Sequence, residues 1–483
     1  MAEKIQYYLE RSIPELEDLL EKKIFNQEEI NSIVKSRRDY EGKLARRQVK
    51  LTDFLSYIQY EMTLEALRKK RHKRLQIKGK TTVSDYAGMR KILYLFLRAT
   101  NKFFGDATLW LDYIQYAKSV HATHIIGKIC AAALQKHPNN IHLWLVACDN
   151  EFTENANMPA ARSLMHRALR LNKENPILWA SYFRLELAYM AKLHYRSEIL
   201  LAAKSEEEGG ASSAPAADSL DSDHIQLPSI SMEEYLGDGN QQASGVNETV
   251  TSAMNAEDST GSADQVEKYA NVLFTIYSTA TESLPKRESI EFLVAVLDLL
   301  FECATIPVAR YLLSEKMIEI LESSLDEYKS EGGVTYGALL HRWSVYSIFC
   351  KFNGIFPANA SLLPSMGVFA SSAPNPDLIN QVVQDPEFVH DLELSIQKYQ
   401  AVVSDLAISS SSRQEFYKLF IQTTYEISSL PATESSVTLA LNMLTNSAFE
   451  KLKEQPYFKF DDYLQKLYEE IQIRNGALAE TVA

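Results

Sequence analysis

The octets FLSYIQYE (Phe54–Glu61) and WLDYIQYA (Trp110–Ala117) share an identical Tyr-Ile-Gln-Tyr core, 56 positions apart. Two further aromatic starts follow at Trp144 and Trp179, so three Trp stand at intervals of 34 and 35, each preceded by Leu (Leu109, Leu143, Leu178). Only four Trp occur in the chain, so this regularity marks an internal repeat, and a period of this length constrains the fold more than any single motif.

The register continues inside each copy. Tyr57, Tyr113, Ala147 and Tyr182 follow at plus three; Glu61, Glu151 and Glu186 follow at plus seven, where the second copy has Ala117. Offsets of three and seven share one face of an α-helix. Between these helices lie second apolar segments carrying Ala99, Ala133 and Ala168, again 34 and 35 apart. A small residue there lets two helices approach closely while the aromatic fills the neighbouring groove. Asn139-Asn140 and the stretch from Asn172 to Pro176 end the second helices. One such pair cannot bury its apolar face alone, so stacked copies are required. The predicted fold is all-α, a right-handed α-solenoid of tandem helix pairs.

Hydrophobic residues at 46% and charged residues at 23% fit a folded chain. The first twenty residues are charged throughout and lack a signal-peptide core. The most apolar run, Phe292–Phe301, is ten residues and contains Asp298, which reads as a buried helix rather than a membrane span. Cys130, Cys148, Cys303 and Cys350 form no Cys-x-x-Cys pair and read as reduced core thiols. Charge is uneven: residues 1–100 carry +8 of a net −13, leaving −21 on the rest. A basic head on an acidic body implies different partners at the two ends.

From Lys204 to Asp264 the chain turns to Ser, Gly, Ala and acids, so a disordered acidic insertion is expected over 204–264. Within it, His224–Leu236 is either a docking segment or a local turn. Helical patterning returns over 265–475: Val266–Ser283, Arg287–Glu302, Val308–Lys329, Tyr336–Phe352, Leu392–Ser404, Arg413–Ser428, Ser435–Leu452 and Phe458–Ile473. The segments around Trp343 and Phe416–Glu426 read as eroded copies of the first helix, and Pro357–Asp377 as a second loop.

Catalytic chemistry is not expected. Lys78–Thr82 (KGKTT) ends like a phosphate loop but lacks the upstream Gly and a preceding strand. His121, His124, His137 and His142 lack convergent metal-ligand spacing, and no nucleophile–base signature occurs. The recurring Glu61, Glu151 and Glu186 read as polar anchors between helices rather than acids or bases. The basic connector over 68–80 is different, with eight Lys or Arg in thirteen positions: Arg68, Lys69, Lys70, Arg71, Lys73, Arg74, Lys78 and Lys80. Successive charges point all around a helix, which argues against a single salt-bridged face. The cluster fits contact with RNA phosphates, contact with an acidic protein, or a solvated connector; with no base-stacking module beside it, RNA contact would be backbone-directed.

The Trp-x-x-Tyr…Glu helix followed by an Ala-Leu helix resembles the half-a-tetratricopeptide (HAT) repeat over about residues 50–190, making the solenoid one of HAT/TPR-like pairs. Tyr7–Leu44 and Asp53–Leu75, with the order of segments that follows, resemble the U3 small nucleolar RNA-associated protein 6 family. That resemblance implies a non-enzymatic subunit of the small-subunit processome, in its UTP-B subcomplex, assembling and processing the 18S ribosomal RNA precursor in the nucleolus. It implies other UTP-B proteins and the U3 snoRNA and pre-rRNA particle as partners, with no cofactor, metal, membrane or small-molecule substrate. The repeat alone also permits a scaffold for messenger-RNA splicing or 3′-end processing. The expected division is an N-terminal helical segment (1–50), a HAT array (51–200), the insertion, and a degenerate helical-repeat domain (265–475). Phe54, Tyr57, Glu61, Trp110, Tyr113, Trp144, Glu151, Trp179, Tyr182 and Glu186 are the expected packing residues.

Overall fold

Apolar stripes with helical period make helices wherever the chain is described, and no strand occurs among the described residues. A computed structural model describes residues 2–76, 82–209, 262–302, 321–322, 325, 327–329, 333–352, 386–405, 407–428, 435–455 and 463–471. They fall into two compact units, Met1–Lys173 and Glu174–Ala483.

The first unit contains α1 (Ala2–Glu10), α2 (Ile13–Glu21), α3 (Gln27–Leu44), α4 (Leu51–Leu75), α5 (Val83–Lys102), α6 (Ala107–Ser119), α7 (Thr123–Lys136), α8 (Ile141–Thr153) and α9 (Met158–Leu171). From α3 to α9 each helix packs on the next, the arrangement of an α-solenoid. Ala99, Ala133 and Ala168 are fully buried on α5, α7 and α9, so the second helices present small residues to their neighbours as the spacing predicts. Local chemistry sets the helix starts. Asn26 with Glu29 and Thr82 with Asp85 form capping boxes, and Asp106 and Asn157 accept amides of α6 and α9.

The N-terminal helices share this core. Leu16, Leu19, Ile24, Phe25, Ile30 and Ile33 form one cluster, with Val34 and Leu64 packed against it. Each large side chain buried this way contributes about 1.5–3 kcal/mol before entropy is counted. Residues 1–50 are thus joined to α4 and α5, although the sequence marks them as a separate segment.

The second unit contains α10 (Pro176–Gly209), α11 (Ser262–Ser283), α12 (Lys286–Glu302), α13 (Val334–Phe352), α14 (Pro386–Ser404), α15 (Ser410–Ser428), α16 (Ser435–Lys453) and a short helix over 463–471. α10 packs on α11 and α12, α12 on α13, α13 on α14 and α15, and α15 on α16. The apolar run Phe292–Phe301 lies in α12, and its Asp298 pairs with Arg342 of α13.

Two boundaries differ from the sequence expectation. The division between units falls at Lys173–Glu174, inside the array expected over 51–200, and places the Trp179 helix with α11 and α12. The reason lies in α10, which runs 34 residues where the repeat predicts a short first helix, and packs along its neighbours in the second unit. That same helix reaches Gly209 and α11 begins at Ser262, so both edges of the 204–264 stretch are helical. The rest of that stretch, including His224–Leu236, lies outside the described residues, as do Pro357–Asp377 and most of Val308–Lys329.

Candidate functional site

The repeat residues of the first unit are packed inside it. Phe54 and Tyr57 of α4, Trp110 and Tyr113 of α6, and Trp144 and Ala147 of α8 are all buried. Trp179 of α10 is half-buried and Tyr182 buried. Each indole in the first unit also makes a fixed polar contact. Trp110 Nε1 donates to the Phe104 carbonyl at 3.3 Å and Trp144 Nε1 to the Pro138 carbonyl at 2.8 Å, in both cases six residues upstream. The next helix pair returns to the same carbonyls: a His137 ring nitrogen meets Phe104 O at 2.7 Å, and Asn172 Nδ2 donates to Pro138 O at 3.3 Å. One turn carbonyl therefore ties its own aromatic helix to the following repeat, and otherwise exposed turn acceptors are satisfied.

A second regularity pairs aromatics 17 residues apart. Tyr40 stacks on Tyr57 with ring centroids 5.1 Å apart, and Phe96 on Tyr113 at 5.3 Å. In the second unit Tyr399 and Phe416 stack at 5.9 Å, which agrees with an eroded repeat around Phe416. Half a repeat period carries the chain from one helix to its antiparallel partner.

The recurring glutamates have different surroundings. Glu61 is 1% exposed and takes two hydrogen bonds from Arg37, from Nε at 2.8 Å and Nη2 at 2.9 Å. Arg37 Nη2 also donates to Glu15 Oε1 of α2 at 3.2 Å, and Lys91 Nζ lies 3.8 Å from Glu61. Burial alone would make the guanidinium easier to deprotonate, but Glu61 and Glu15 outweigh it and hold Arg37 charged. Burial and the adjacent Arg37 bring Lys91 down to about 8. Glu61 is thus a polar anchor joining α4 to α3 and α5. Glu186 is buried and Glu151 half-buried. Ala117 is fully buried in the position of Glu61.

Beside this anchor lies a second inter-helix pair, in which Arg98 of α5 makes two hydrogen bonds to Glu41 of α3, at 2.9 and 3.0 Å, and covers the Tyr8 ring. Arg37, Glu15, Glu41, Lys91 and Arg98 fall outside the repeat register, and sequence reasoning missed them.

The basic connector separates by residue type. Arg68 is buried, chelates Glu65 at 2.8 and 2.9 Å, and reaches Asp85 of α5 at 3.2 Å. Arg71 chelates Glu29 of α3 at 2.7 and 2.8 Å, donates to the Ile24 carbonyl and lies over the Phe25 ring. Both arginines are therefore structural ties on the packed face of α4, contrary to the expectation that no salt-bridged face exists. They sit three positions apart, one helical turn, and so look the same way. Lys69, Lys70, Lys73 and Arg74 are exposed. Lys78 and Lys80 lie outside the described residues.

The other chemistry-bearing residues have local roles. Thr82 of the KGKTT stretch caps α5 and bonds Asp18 of α2 and Lys22 just after it. His137 follows α7 and makes the turn contact described above. Among the described residues no three His, Cys, Asp or Glu side chains converge as a metal site, and no helix is long and apolar enough to cross a membrane. Burial pushes the Cys130 thiol up to about 11 and Cys148 up to about 12, so both stay protonated near neutrality.

Helices α3 to α9 stacked in chain order, with Trp110 and Trp144 buried 34 residues apart, define an α-helical repeat protein of the HAT type. A family profile described as U3 small nucleolar RNA-associated protein 6 matches residues 9–91, the stretch holding the Arg37–Glu61 anchor and the basic helix. Over 483 residues the chain is 52% identical to the U3 small nucleolar RNA-associated protein 6 of Schizosaccharomyces pombe, covering 99% of this chain and 98% of that one. The mouse homolog of the same name is 37% identical over 193 residues, or 40% of this chain and 32% of that protein. The human homolog is 35% identical over 198 residues, 41% and 33% respectively. The chain belongs to the U3 small nucleolar RNA-associated protein 6 family.

Proposed function

We propose that the protein is a non-enzymatic scaffold of the small-subunit processome, in its UTP-B subcomplex, acting in ribosome biogenesis through assembly and processing of the 18S ribosomal RNA precursor in the nucleolus. The observation that carries this reading is the end-to-end similarity to a relative whose name associates it with U3 small nucleolar RNA. The mechanism is positional. Stacked helix pairs present successive surfaces to several partners at fixed separations, and joined binding events gain affinity through effective concentration. In this reading Phe54, Tyr57, Glu61, Trp110, Tyr113, Trp144, Glu151, Trp179, Tyr182 and Glu186 build the array over 51–200, while exposed faces bind other UTP-B proteins and the U3 particle. The region 265–475 serves as a second helical-repeat domain.

Affinity purification of the tagged full chain, with identification of the bound proteins and RNAs, tests the proposal. Enrichment of U3 snoRNA and 18S precursor is the expected result, together with a nucleolar signal from a fluorescent fusion. Enrichment of spliceosomal RNAs or 3′-end factors in their place would refute it.

A further inference from the structure

Two groups of exposed cations in the first unit stand at the two ends of α4. At the carboxy-terminal end stand Lys69, Lys70, Lys73 and Arg74, all exposed. At the other end stand Lys43, Arg46, Arg47 and Lys50, also exposed. Lys102 joins that second group, because Arg98, one turn earlier on α5, binds Glu41 of α3, and Phe103 meets Phe54 at the start of α4 with centroids 6.0 Å apart. Lys70, Lys73, Arg74, Arg46, Arg47, Lys50 and Lys102 make no ion pair among the described residues, whereas the buried Arg37 and Arg68 and the half-buried Arg71 and Arg98 are each matched to a carboxylate.

The acids near this surface are largely committed. Of α4's own carboxylates, Asp53 accepts the Lys50 amide, Glu61 holds Arg37, and Glu65 holds Arg68. Asp106 caps α6, while Asp39 and Glu28 are exposed on α3. Between the two cation groups the exposed positions of α4 are Thr52, Leu55, Ser56, Gln59, Thr63, Ala66 and Leu67, with no negative charge. From Lys50 to Lys70 is 20 residues of helix, about 30 Å.

We propose that the exposed edge of α4 binds an RNA backbone, with phosphates held at both ends and the neutral stripe beneath the strand. The inference rests on the scaffold reading and gives its RNA contact a location. Two separated groups of free cations with no exposed carboxylate of α4 between them match a repeating anion better than a single acidic peptide. The stripe is also mostly neutral and polar, without the aromatic or Met core that protein interfaces favour. Recognition is through charge, so it discriminates weakly between sequences.

The test uses the purified full chain and a labelled oligouridine long enough to cover about 30 Å, the span given by the helix rise, titrated at several salt concentrations. Three variants carry equal charge changes: Lys70→Glu/Lys73→Glu/Arg74→Glu, Arg46→Glu/Arg47→Glu/Lys50→Glu, and a control on the exposed faces of α7 and α9, Lys128→Glu/Arg167→Glu/Arg170→Glu. Circular dichroism checks that each stays helical. Loss of three phosphate contacts should lower the slope of log K against log salt by about 2, near a hundredfold at 0.1 M salt, for each α4 variant and not for the control. An equal effect in the control, or no effect of either α4 variant, overturns the inference. So does unchanged RNA binding together with loss of a protein from the purified particle, which would assign the edge to an acidic protein. Recovery of U3 snoRNA with the tagged wild-type chain is scored separately: its failure sinks the scaffold reading, while the titration alone decides the RNA surface.

Discussion

Removing the Glu61 carboxylate should destabilise the first unit more than removing Arg37, its partner. Glu61→Ala strands a guanidinium that is 1% exposed, with a single remaining hydrogen bond, to Glu15 at 3.2 Å. Lys91, half-buried 3.8 Å from the same carboxylate, loses its counter-charge too. Breaking a buried pair from one side costs about 3–5 kcal/mol, because the surviving charge is neither solvated nor paired. Arg37→Ala leaves a different situation. Glu61 then keeps Lys91 within reach, and the lysine no longer feels the guanidinium that helped hold its pKa near 8, so it becomes the better-charged partner. That variant should cost about 3 kcal/mol, at the lower end of the buried-pair range. Replacing both with apolar residues of similar size, Arg37→Met/Glu61→Leu, should cost less than Glu61→Ala alone. Hydrogen exchange on peptides from α3 and α4 in the full chain provides the measurement. At 1.4 kcal/mol per decade, Glu61→Ala should speed exchange by about 10²–10³ or more. Equal effects of the two single variants, or effects below tenfold, would show that water reaches Arg37 and refute the argument.

Three further outcomes follow from the geometry. Trp144→Phe keeps a ring in the seam, as Phe54 does in the first copy, but withdraws the 2.8 Å bond to the Pro138 carbonyl. Together with the lost volume this should cost about 1–3 kcal/mol, measured by thermal unfolding. Gly88→Ala replaces a poor helix former with the best one, yet its Cβ would fall 2.4 Å from Glu65 Oε2. Disruption of the Glu65–Arg68 chelate should outweigh the propensity gain of about 1 kcal/mol, and a rise in the urea midpoint would contradict it. Asp18 is set by two opposed effects: burial raises its pKa, but bonds from Ser84 and Thr82 and the charge of Lys22 take it from 3.8 down to about 2. Its contribution, on the order of 2 kcal/mol, is therefore present above about pH 4 and lost as pH falls toward 2. Asp18→Asn should flatten that part of the stability profile, measured by denaturation across the acid range.

Much of the array is legible in the sequence. Trp110, Trp144 and Trp179, spaced 34 and 35 residues apart, write the period directly into the sequence, and the first two are buried in the packed first unit. The small residues at Ala99, Ala133 and Ala168 and the helices flanking them could be placed for the same reason. The spans of α11 to α16 were also close to their predicted positions, since Pro and Ser clusters punctuate strong helical stripes. The buried cations were less accessible. Arg37 lies 24 residues from Glu61 and belongs to no repeat position, so nothing in the one-dimensional pattern pairs them.

The sequence alone determined a period, a helix class and the presence of eight cations within the thirteen residues 68–80. Tertiary structure decided what those cations do. Glu29 of α3 and Asp85 of α5 meet one face of α4 and take up Arg71 and Arg68, while Lys70, Lys73 and Arg74 are left in water. The physical reason is that a helix's period assigns side chains to faces, but only neighbours brought from distant positions determine which face is packed and which stays free to meet another molecule.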